Sequence, residues 1–165
     1  VAMIKVGGPS ELEMKATKDL VEDALHATRA AAKEGYVPGG GVALLRTQDA
    51  MIAAQKKAKG DEKIGFDIVI KAVESCAYQI AVNAGFDGDL VVEKIKEGGK
   101  GGNSYGFNAA TGEYTDLVKD GIIDPALVAK SALINAASVA GLMLTTDVLI
   151  TELKEGKEAV EGAVS

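Results

Sequence analysis

The sequence predicts a mainly α-helical, multihelical fold that includes one small β-hairpin and begins with a strand and a long helix. Three observations support this fold class. Apolar residues recur at three- and four-residue steps through most of the chain. Glycines such as Gly35, Gly60 and Gly85 separate these periodic segments, as residues that end helices do. Two short runs rich in aromatic and β-branched residues flank the turn at residues 110–112 and indicate the hairpin.

The chain is expected to open with a strand and a long helix. Alternating apolar residues predict the strand over residues 1–6. Ser10 and Glu13 have the spacing of a capping box, in which each side chain bonds the backbone N–H of the other residue. The helix that they open is predicted to end at about Glu34, with Gly35 as its left-handed C′ residue.

The middle of the chain is predicted to be helical with glycine-rich interruptions. Three helices are expected, over residues 42–59, 61–83 and 90–96. Asp61 is the expected N-cap of the second of these helices. Cys76 lies on the apolar face of that helix, so we interpret it as an inert core cysteine. The glycine-rich run at residues 98–103 is either a flexible connector or, less simply, a phosphate loop.

The last third of the chain combines the hairpin with a very apolar helix. Strands are predicted over residues 105–109, 113–117 and 148–151, and Asp120-Gly121 is a turn. Asp124 and Pro125 have the order of an N-cap and a first-turn proline. The helix from there to Leu144 is apolar nearly all round, which predicts a buried, central helix. The charged end of the chain, residues 152–165, is expected to be a flexible tail.

Composition excludes several classes of function. The chain has 165 residues and a net charge of −6, which argues against a general binder of nucleic acid or anionic membrane. One cysteine and one histidine make neither an internal disulfide nor a Cys/His zinc site. No run of the sequence is expected to cross a membrane, since polar residues interrupt the longest apolar stretch, at residues 132–150.

The start of the chain carries two further expectations. No signal peptide is visible, which with the lack of paired cysteines favours an intracellular setting. The chain begins at Val1, within an alternating apolar run, and this predicts a piece of a longer protein.

Candidate chemistry is concentrated at a few positions, each with a simpler structural alternative. The triple glycine at Gly39–Gly41 suits close approach of a nucleotide or phosphate, or is a tight turn between helices. Asp23 could orient a water, and its neighbours Glu22 and His26 could share a metal, or all three lie on a solvated helix face. Asn108 could read a base edge or cap its own turn.

Five segments, in this order and spacing, resemble a group I chaperonin of the GroEL type over residues 1 to about 153. They are Val21-Glu-Asp-Ala-Leu-His-Ala-Thr-Arg-Ala-Ala31, Pro38-Gly-Gly-Gly-Val-Ala-Leu44, Tyr105-Gly-Phe-Asn-Ala-Ala-Thr111, Gly121-Ile-Ile-Asp-Pro125 and Ala136-Ala-Ser-Val-Ala-Gly-Leu142. The resemblance implies the C-terminal third of a subunit. Residues 1–33 would belong to the intermediate domain, residues 34–151 to the second half of the ATP-binding equatorial domain, and residues 152–165 to a tail that lacks the family's usual Gly-Gly-Met repeats.

The resemblance also assigns roles to the candidate residues. Asp23 matches the intermediate-domain aspartate that helps to activate the attacking water, so it is the predicted catalytic residue. The predicted nucleotide-binding residues are Gly39, Gly40, Gly41, Asn108, Ala109, Ala110, Ile122 and Asp124. Of these, Gly40 is the strongest single candidate, and Asp124 is expected to contact the ribose while capping its helix.

ATP is the cofactor that the resemblance implies, with Mg²⁺ and K⁺ in the intact protein. The phosphate loop and the main metal ligands of the family lie on the N-terminal half, outside this chain, so the chain alone is expected to hydrolyse little or no ATP. Implied partners are identical subunits in a ring, and a co-chaperonin and unfolded polypeptides bound by the missing apical domain. The implied location is the bacterial cytoplasm or an organelle matrix. The alternative function is a non-catalytic oligomerisation module; a self-contained ATPase is weaker, because no phosphate loop is visible.

Overall fold

The computed structural model describes residues 2–98 and 102–151, and these residues form a mainly helical fold with two small sheets. The helices of the described residues are α1 (Glu11–Glu34), α2 (Val42–Arg46), α3 (Gln48–Gln55), α4 (Glu62–Ala72), α5 (Ser75–Asn83), α6 (Gly88–Glu97) and α7 (Ala126–Leu144). The strands are β1 (Tyr36–Pro38), β2 (Tyr105–Asn108), β3 (Glu113–Asp116) and β4 (Ile123–Pro125). The predicted fold class and the β2–β3 hairpin are confirmed.

Helix α1 begins and ends where its capping residues predict. The Ser10 side chain accepts a hydrogen bond from the Glu13 N–H at 3.3 Å, which satisfies one of the free N–H groups of the first turn. At the other end Gly35 has φ +80°, and its N–H donates to the Ala31 carbonyl at 2.8 Å. With ψ at −167°, Gly35 lies outside the left-handed helical region, so the chain leaves α1 in an extended direction.

The predicted strands at the two ends of the chain are wrong. Residues 2–8 and 148–151 form no strand in the structure. A strand needs a neighbour for its backbone N–H and C=O groups. Among the described residues the four strands pair only with each other, β1 with β4 and β2 with β3, and none of them extends to the end segments.

The two longer helices predicted in the middle are each divided. The first is interrupted at Thr47, whose hydroxyl donates to the Leu44 carbonyl at 2.6 Å. The second is interrupted between α4 and α5, where the Ser75 hydroxyl donates to the Ala72 carbonyl at 2.7 Å. Such hydroxyls compete for backbone carbonyls and favour a break in the helix. Asp61 is the N-cap residue of α4, as predicted, but its side chain accepts no capping hydrogen bond.

The third predicted helix starts earlier than expected. Helix α6 begins at Gly88, because the Asp87 side chain caps it by accepting a hydrogen bond from the Leu90 N–H at 3.1 Å. The glycine-rich run that follows falls partly outside the described residues, at 99–101.

Asp124 does not cap the last helix. It lies in β4, where it pairs with Val37 of β1, while Pro125 pairs with Tyr36 and α7 begins at Ala126. The sequence pattern of Asp followed by Pro is a local signal, and here the tertiary pairing of β4 with β1 takes precedence over it.

The described residues divide into two compact units, with the boundary between residues 132 and 133. A core cluster of buried residues belongs to the first unit: Val42, Leu45, Ala77, Ala81, Val91, Val92, Ile95, Phe107 and Leu117. These residues come from α2, α5, α6, the hairpin and the segment after it. The core therefore packs α2, which follows the glycine-rich turn, against the β2–β3 hairpin. The domain boundary predicted near residue 33 stays a prediction.

The prediction that α7 is buried is wrong for this chain. None of its residues is buried, and Leu142 is 70% exposed. Among the described residues, α7 is the one helix long and apolar enough to cross a membrane by length and composition, so the expectation that no segment reaches that length fails. The buried helix of a soluble protein passes the same test. Cys76 is likewise exposed and is not a core residue.

Candidate functional site

The glycine-rich turn lies between β1 and α2 and is built so that side chains are excluded. Gly40 and Gly41 have φ of +63° and +75°, in the left-handed region that favours glycine. A Cβ on Gly41 would lie 2.6 Å from the Ala77 nitrogen, where no side chain fits. Gly39 is held from the other side, since its N–H donates to the Ile122 carbonyl at 3.0 Å.

The β2–β3 hairpin lies directly beside this turn. A Cβ on Gly40 would be 3.8 Å from the Phe107 carbonyl oxygen and 3.4 Å from Leu117 Cδ1. A Cβ on Gly106 would be 2.5 Å from Val42 Cγ2, so β2 packs closely against the start of α2 because Gly106 has no side chain. The structure thus brings together two segments that are far apart in sequence.

Asn108 closes the hairpin turn. Its side-chain Oδ1 accepts from the Ala110 N–H at 3.0 Å, and its carbonyl accepts from the Gly112 N–H at 2.8 Å. This is the local capping role that its residue type favours. The same bond orients the amide group, and the Asn108 Nδ2 donates to no residue in the described part of the chain. Ala109 packs against the core cluster, and Ala110 is exposed.

A series of backbone hydrogen bonds connects the hairpin to the glycine turn. The Leu117 N–H donates to the Ser104 carbonyl at 2.9 Å, the Ile122 N–H to the Leu117 carbonyl at 2.8 Å, and the Gly39 N–H to the Ile122 carbonyl at 3.0 Å. We call these three bonds the backbone relay. Because each bond joins different segments, the relay fixes the base of the hairpin relative to the turn.

The predicted binding residues therefore lie on neighbouring segments. Ile122 belongs to the relay, and Asp124, which is exposed, follows it in β4 opposite Val37 of β1. The described residues also line cavities away from the turn and the hairpin, such as one of about 370 Å³ bordered by Lys71 and Tyr78. The contact of these residues with a nucleotide stays a prediction.

Asp23 is not brought to this surface. It is exposed on α1, and the twelve residue steps from it to Gly35 correspond to about 18 Å of helix. No residue in the described ranges forms a hydrogen bond or ion pair with it. The end of α1, by contrast, is anchored: the Ala126 N–H donates to the Gly35 carbonyl at 3.0 Å, and Lys130 pairs with Glu34 at 3.2 Å.

The metal alternative on α1 receives no support from the local geometry. Glu22 pairs with Lys18 at 3.4 Å, as on a solvated helix face. Within residues 2–98 and 102–151, no group of three His, Cys, Asp or Glu side chains is placed to hold a metal ion.

A partly buried polar cluster around Glu74 was not identified from the sequence. Glu74 Oε1 accepts from Gln48 Nε2 at 2.8 Å and from Lys96 Nζ at 2.6 Å, and Lys71 pairs with Oε2 at 3.2 Å. Partial burial raises the pKa of Glu74, but the hydrogen bonds from Lys96, Gln48 and Lys71 outweigh it and lower the pKa to about 2. Glu74 therefore holds α3 and α6 to the junction of α4 and α5 as a carboxylate.

No simple signal in the sequence identifies this cluster. Three of its members lie on different helices, Gln48 on α3, Lys71 on α4 and Lys96 on α6, and Glu74 lies between α4 and α5. No short motif relates these positions. The break between α4 and α5 next to Glu74 is the nearest sequence-level cue.

Comparison with known proteins agrees with this architecture. Residues 1–154 match the sequence model of the TCP-1/cpn60 chaperonin family. The fold is similar to a crystal structure of a group III chaperonin in the open state, with a TM-score of 0.81 and 26% sequence identity. That match covers 88% of this chain and 30% of the chaperonin chain.

The chain therefore belongs to the TCP-1/cpn60 chaperonin family. It spans less than a third of the length of the chaperonin that it matches.

Proposed function

We propose that this chain supplies one wall of the adenine-nucleotide site of an ATP-driven chaperonin that assists protein folding. The observation that carries the proposal is the packing of the glycine turn against the β2–β3 hairpin, with Phe107 of the hairpin next to Gly40. Family membership supports a chaperonin function, and in this proposal the other wall of the cleft lies on another part of the subunit.

The wall offers donors without competing partners. The Gly40 backbone makes no hydrogen bond to another described residue, and the Asn108 Nδ2 is equally free. Ring nitrogens of adenine are acceptors, and apolar neighbours such as Ala109 and Ile122 suit the face of the base. In this proposal Asn108 and the hairpin contact the base, and Asp124 accepts from a ribose hydroxyl.

Hydrolysis needs more than this wall. Transfer of a phosphoryl group depends on Mg²⁺ and on charged or backbone groups that position the phosphates. In this proposal the motif resemblance assigns the main ligands of Mg²⁺ and K⁺ to the rest of the subunit. Asp23 would help to activate the water when α1 closes, and the chain by itself would not turn over ATP.

The finer assignments follow from the motif resemblance. We place the parent protein in group I, with subunits in a homo-oligomeric ring, a co-chaperonin and unfolded polypeptides bound by the apical domain, and a bacterial cytoplasmic or organellar location. The structural relative reported above is a group III chaperonin, so the group is decided by the complete subunit sequence and by whether the protein needs a separate co-chaperonin.

A second candidate function has its own observation. Helix α7 exposes a long apolar surface, including Val139 and Leu142 at 59% and 70% exposure, as an assembly module would. In that case the chain contributes contacts but binds no nucleotide.

One pair of variants tests the nucleotide site in the full-length subunit. Asn108→Asp keeps the Oδ1 acceptor that closes the turn and removes the amide donor, so ATP binding should weaken by about tenfold while the hairpin persists. Thr111→Asp places the same charge on the exposed tip of the turn and is the control. Calorimetric titration with ATP measures both. Equal ATP affinities for Asn108→Asp and the wild type contradict the proposal. If the wild type binds no ATP, the non-catalytic assembly module is the function that remains.

A further inference from the structure

Arg46 connects three elements that are separate in sequence. It is the last residue of α2, and its Nη2 donates to the Ile95 carbonyl of α6 at 3.1 Å and to the Tyr105 carbonyl of β2 at 2.9 Å. The Arg46 Nε is buried and has no hydrogen-bond partner among the described residues. Among the described residues, these two carbonyls are the hydrogen-bond acceptors of the side chain.

The two carbonyls lie on either side of the glycine-rich run. Ile95 is in the last turn of α6, and Tyr105 is the first residue of the hairpin. A cation is favourable near a helix C-terminus, where carbonyl groups carry partial negative charge. One guanidinium thus fixes both ends of the connection between α6 and β2, and it does so from the helix that follows the glycine turn.

This contact adjoins the backbone relay. Ser104, whose carbonyl receives the first bond of the relay, immediately precedes Tyr105. Arg46 is at the end of α2, the short helix that begins directly after Gly41. The hairpin and the turn are therefore connected in two ways, by the backbone relay through Ile122 and by α2 with the Arg46 side chain.

We infer that Arg46 is a positioning residue that sets the separation between the glycine turn and the β2–β3 hairpin. The inference rests on the proposed function, in which these two segments flank the nucleotide. Arg46 forms no hydrogen bond with a predicted binding residue in the described part of the chain, and it acts through the backbone of β2. Lysine would retain the charge but would not present the planar, multiply donating group of arginine, so it should replace Arg46 only in part.

The test uses three variants of the full-length subunit. Arg46→Met removes the donors and keeps an aliphatic stem, and Arg46→Lys is the conservative variant. Gln48→Met is the matched control: Gln48 is buried in the adjoining helix, and its donor bonds to the Ile70 carbonyl and Glu74 are unrelated to the hairpin. Hydrogen exchange followed by mass spectrometry reports on the segments that contain Gly39 and Ile122. Steady-state kinetics report on ATP use.

Arg46→Met should accelerate exchange in both segments and raise the KM for ATP by about tenfold, as the loss of one or two ordering hydrogen bonds would. The kcat of Arg46→Met at saturating ATP should stay within about twofold of the wild-type value. The KM of Arg46→Lys should lie between those of Arg46→Met and the wild type. Gln48→Met should change neither the exchange rates nor the KM, at a comparable loss of thermal stability. The inference is overturned if Arg46→Met exchanges at the wild-type rate in these segments, or if Gln48→Met shows the same acceleration. If the wild type binds no ATP, the proposed function fails, and accelerated exchange confined to Arg46→Met still supports Arg46 as the residue that positions turn and hairpin.

Discussion

The Gly39 N–H donates to the Ile122 carbonyl at 3.0 Å, and this bond joins the glycine turn to the segment that follows the hairpin. The contact is tight, since a Cβ on Gly39 would lie 3.2 Å from Ile122 Cγ2. Two segments on which nucleotide-binding residues are predicted are thus in direct contact. Segments that hold each other in place lose little conformational freedom on binding, which favours affinity.

Gly41→Ala should destabilise the 165-residue chain more than Gly60→Ala. Both glycines have positive φ, +75° and +57°, so alanine is strained by about 1–2 kcal/mol at either position. Only at Gly41 would the new Cβ meet backbone, 2.6 Å from the Ala77 nitrogen, which adds about 1–3 kcal/mol. Urea unfolding of the two variants measures the difference. Equal losses would show that the backbone beside Gly41 relaxes freely.

Glu74→Gln should lower the free energy of unfolding at neutral pH by about 2 kcal/mol, because Lys96 and Lys71 lose the carboxylate that they pair with. The pKa of Glu74 is about 2 in the folded chain and near 4.5 without its partners. The stabilisation by the carboxylate is therefore complete above about pH 4.5 and is lost as the pH falls from there towards 2.

The pH series separates this effect from general damage. The difference between the wild type and Glu74→Gln should shrink as the pH is lowered through that range in denaturant titrations. Glu93→Gln, at an exposed position of α6, is the control and should stay close to the wild type throughout. A difference that is constant with pH would mean that the charge of Glu74 contributes nothing.

The isolated chain should self-associate through α7. Leu142, Met143 and Leu144 are 70%, 65% and 78% exposed, and in a purified sample another copy is the available apolar surface. Light scattering after size exclusion should show a mass that rises with concentration, and Leu142→Glu with Leu144→Glu should reduce it. A single monomeric mass at all concentrations would contradict this prediction.

The sequence predicted those elements that are determined by neighbouring residues. Ser10 and Gly35 mark the ends of α1 correctly, because a cap is a contact within one turn of helix. The hairpin is also correct, since Asn108 and Gly112 close it locally. The motifs also placed the candidate binding residues on segments that the structure brings together.

The features that depend on distant partners were missed. Asp124 has the sequence context of a cap but pairs with Val37, and the Glu74 and Arg46 contacts join helices that no short motif relates. The burial predicted for α7 fails for a related reason. Its apolar composition predicts a buried helix, but the described residues leave every position of it unburied, and the chain matches 30% of a chaperonin's length.

Asp23→Ala in the full-length subunit should leave ATP binding within about twofold of the wild type and slow hydrolysis by about 10²–10⁴-fold, the range for loss of a general base. The structure explains why the two effects should separate. Asp23 is exposed and about 18 Å along α1 from Gly35, so it adds nothing to the wall formed by the glycine turn and the hairpin. It reaches a nucleotide there only if α1 moves about its anchored end, where Gly35 leaves the helix with φ +80°.

Asp19→Ala, one turn earlier on the same face of α1 and also exposed, is the matched control and should hydrolyse ATP as the wild type does. Phosphate release and nucleotide titration measure the two quantities. Equal rates for Asp23→Ala and Asp19→Ala would remove Asp23 from the chemistry, whereas a loss of ATP binding in Asp23→Ala would place its carboxylate at the nucleotide before closure.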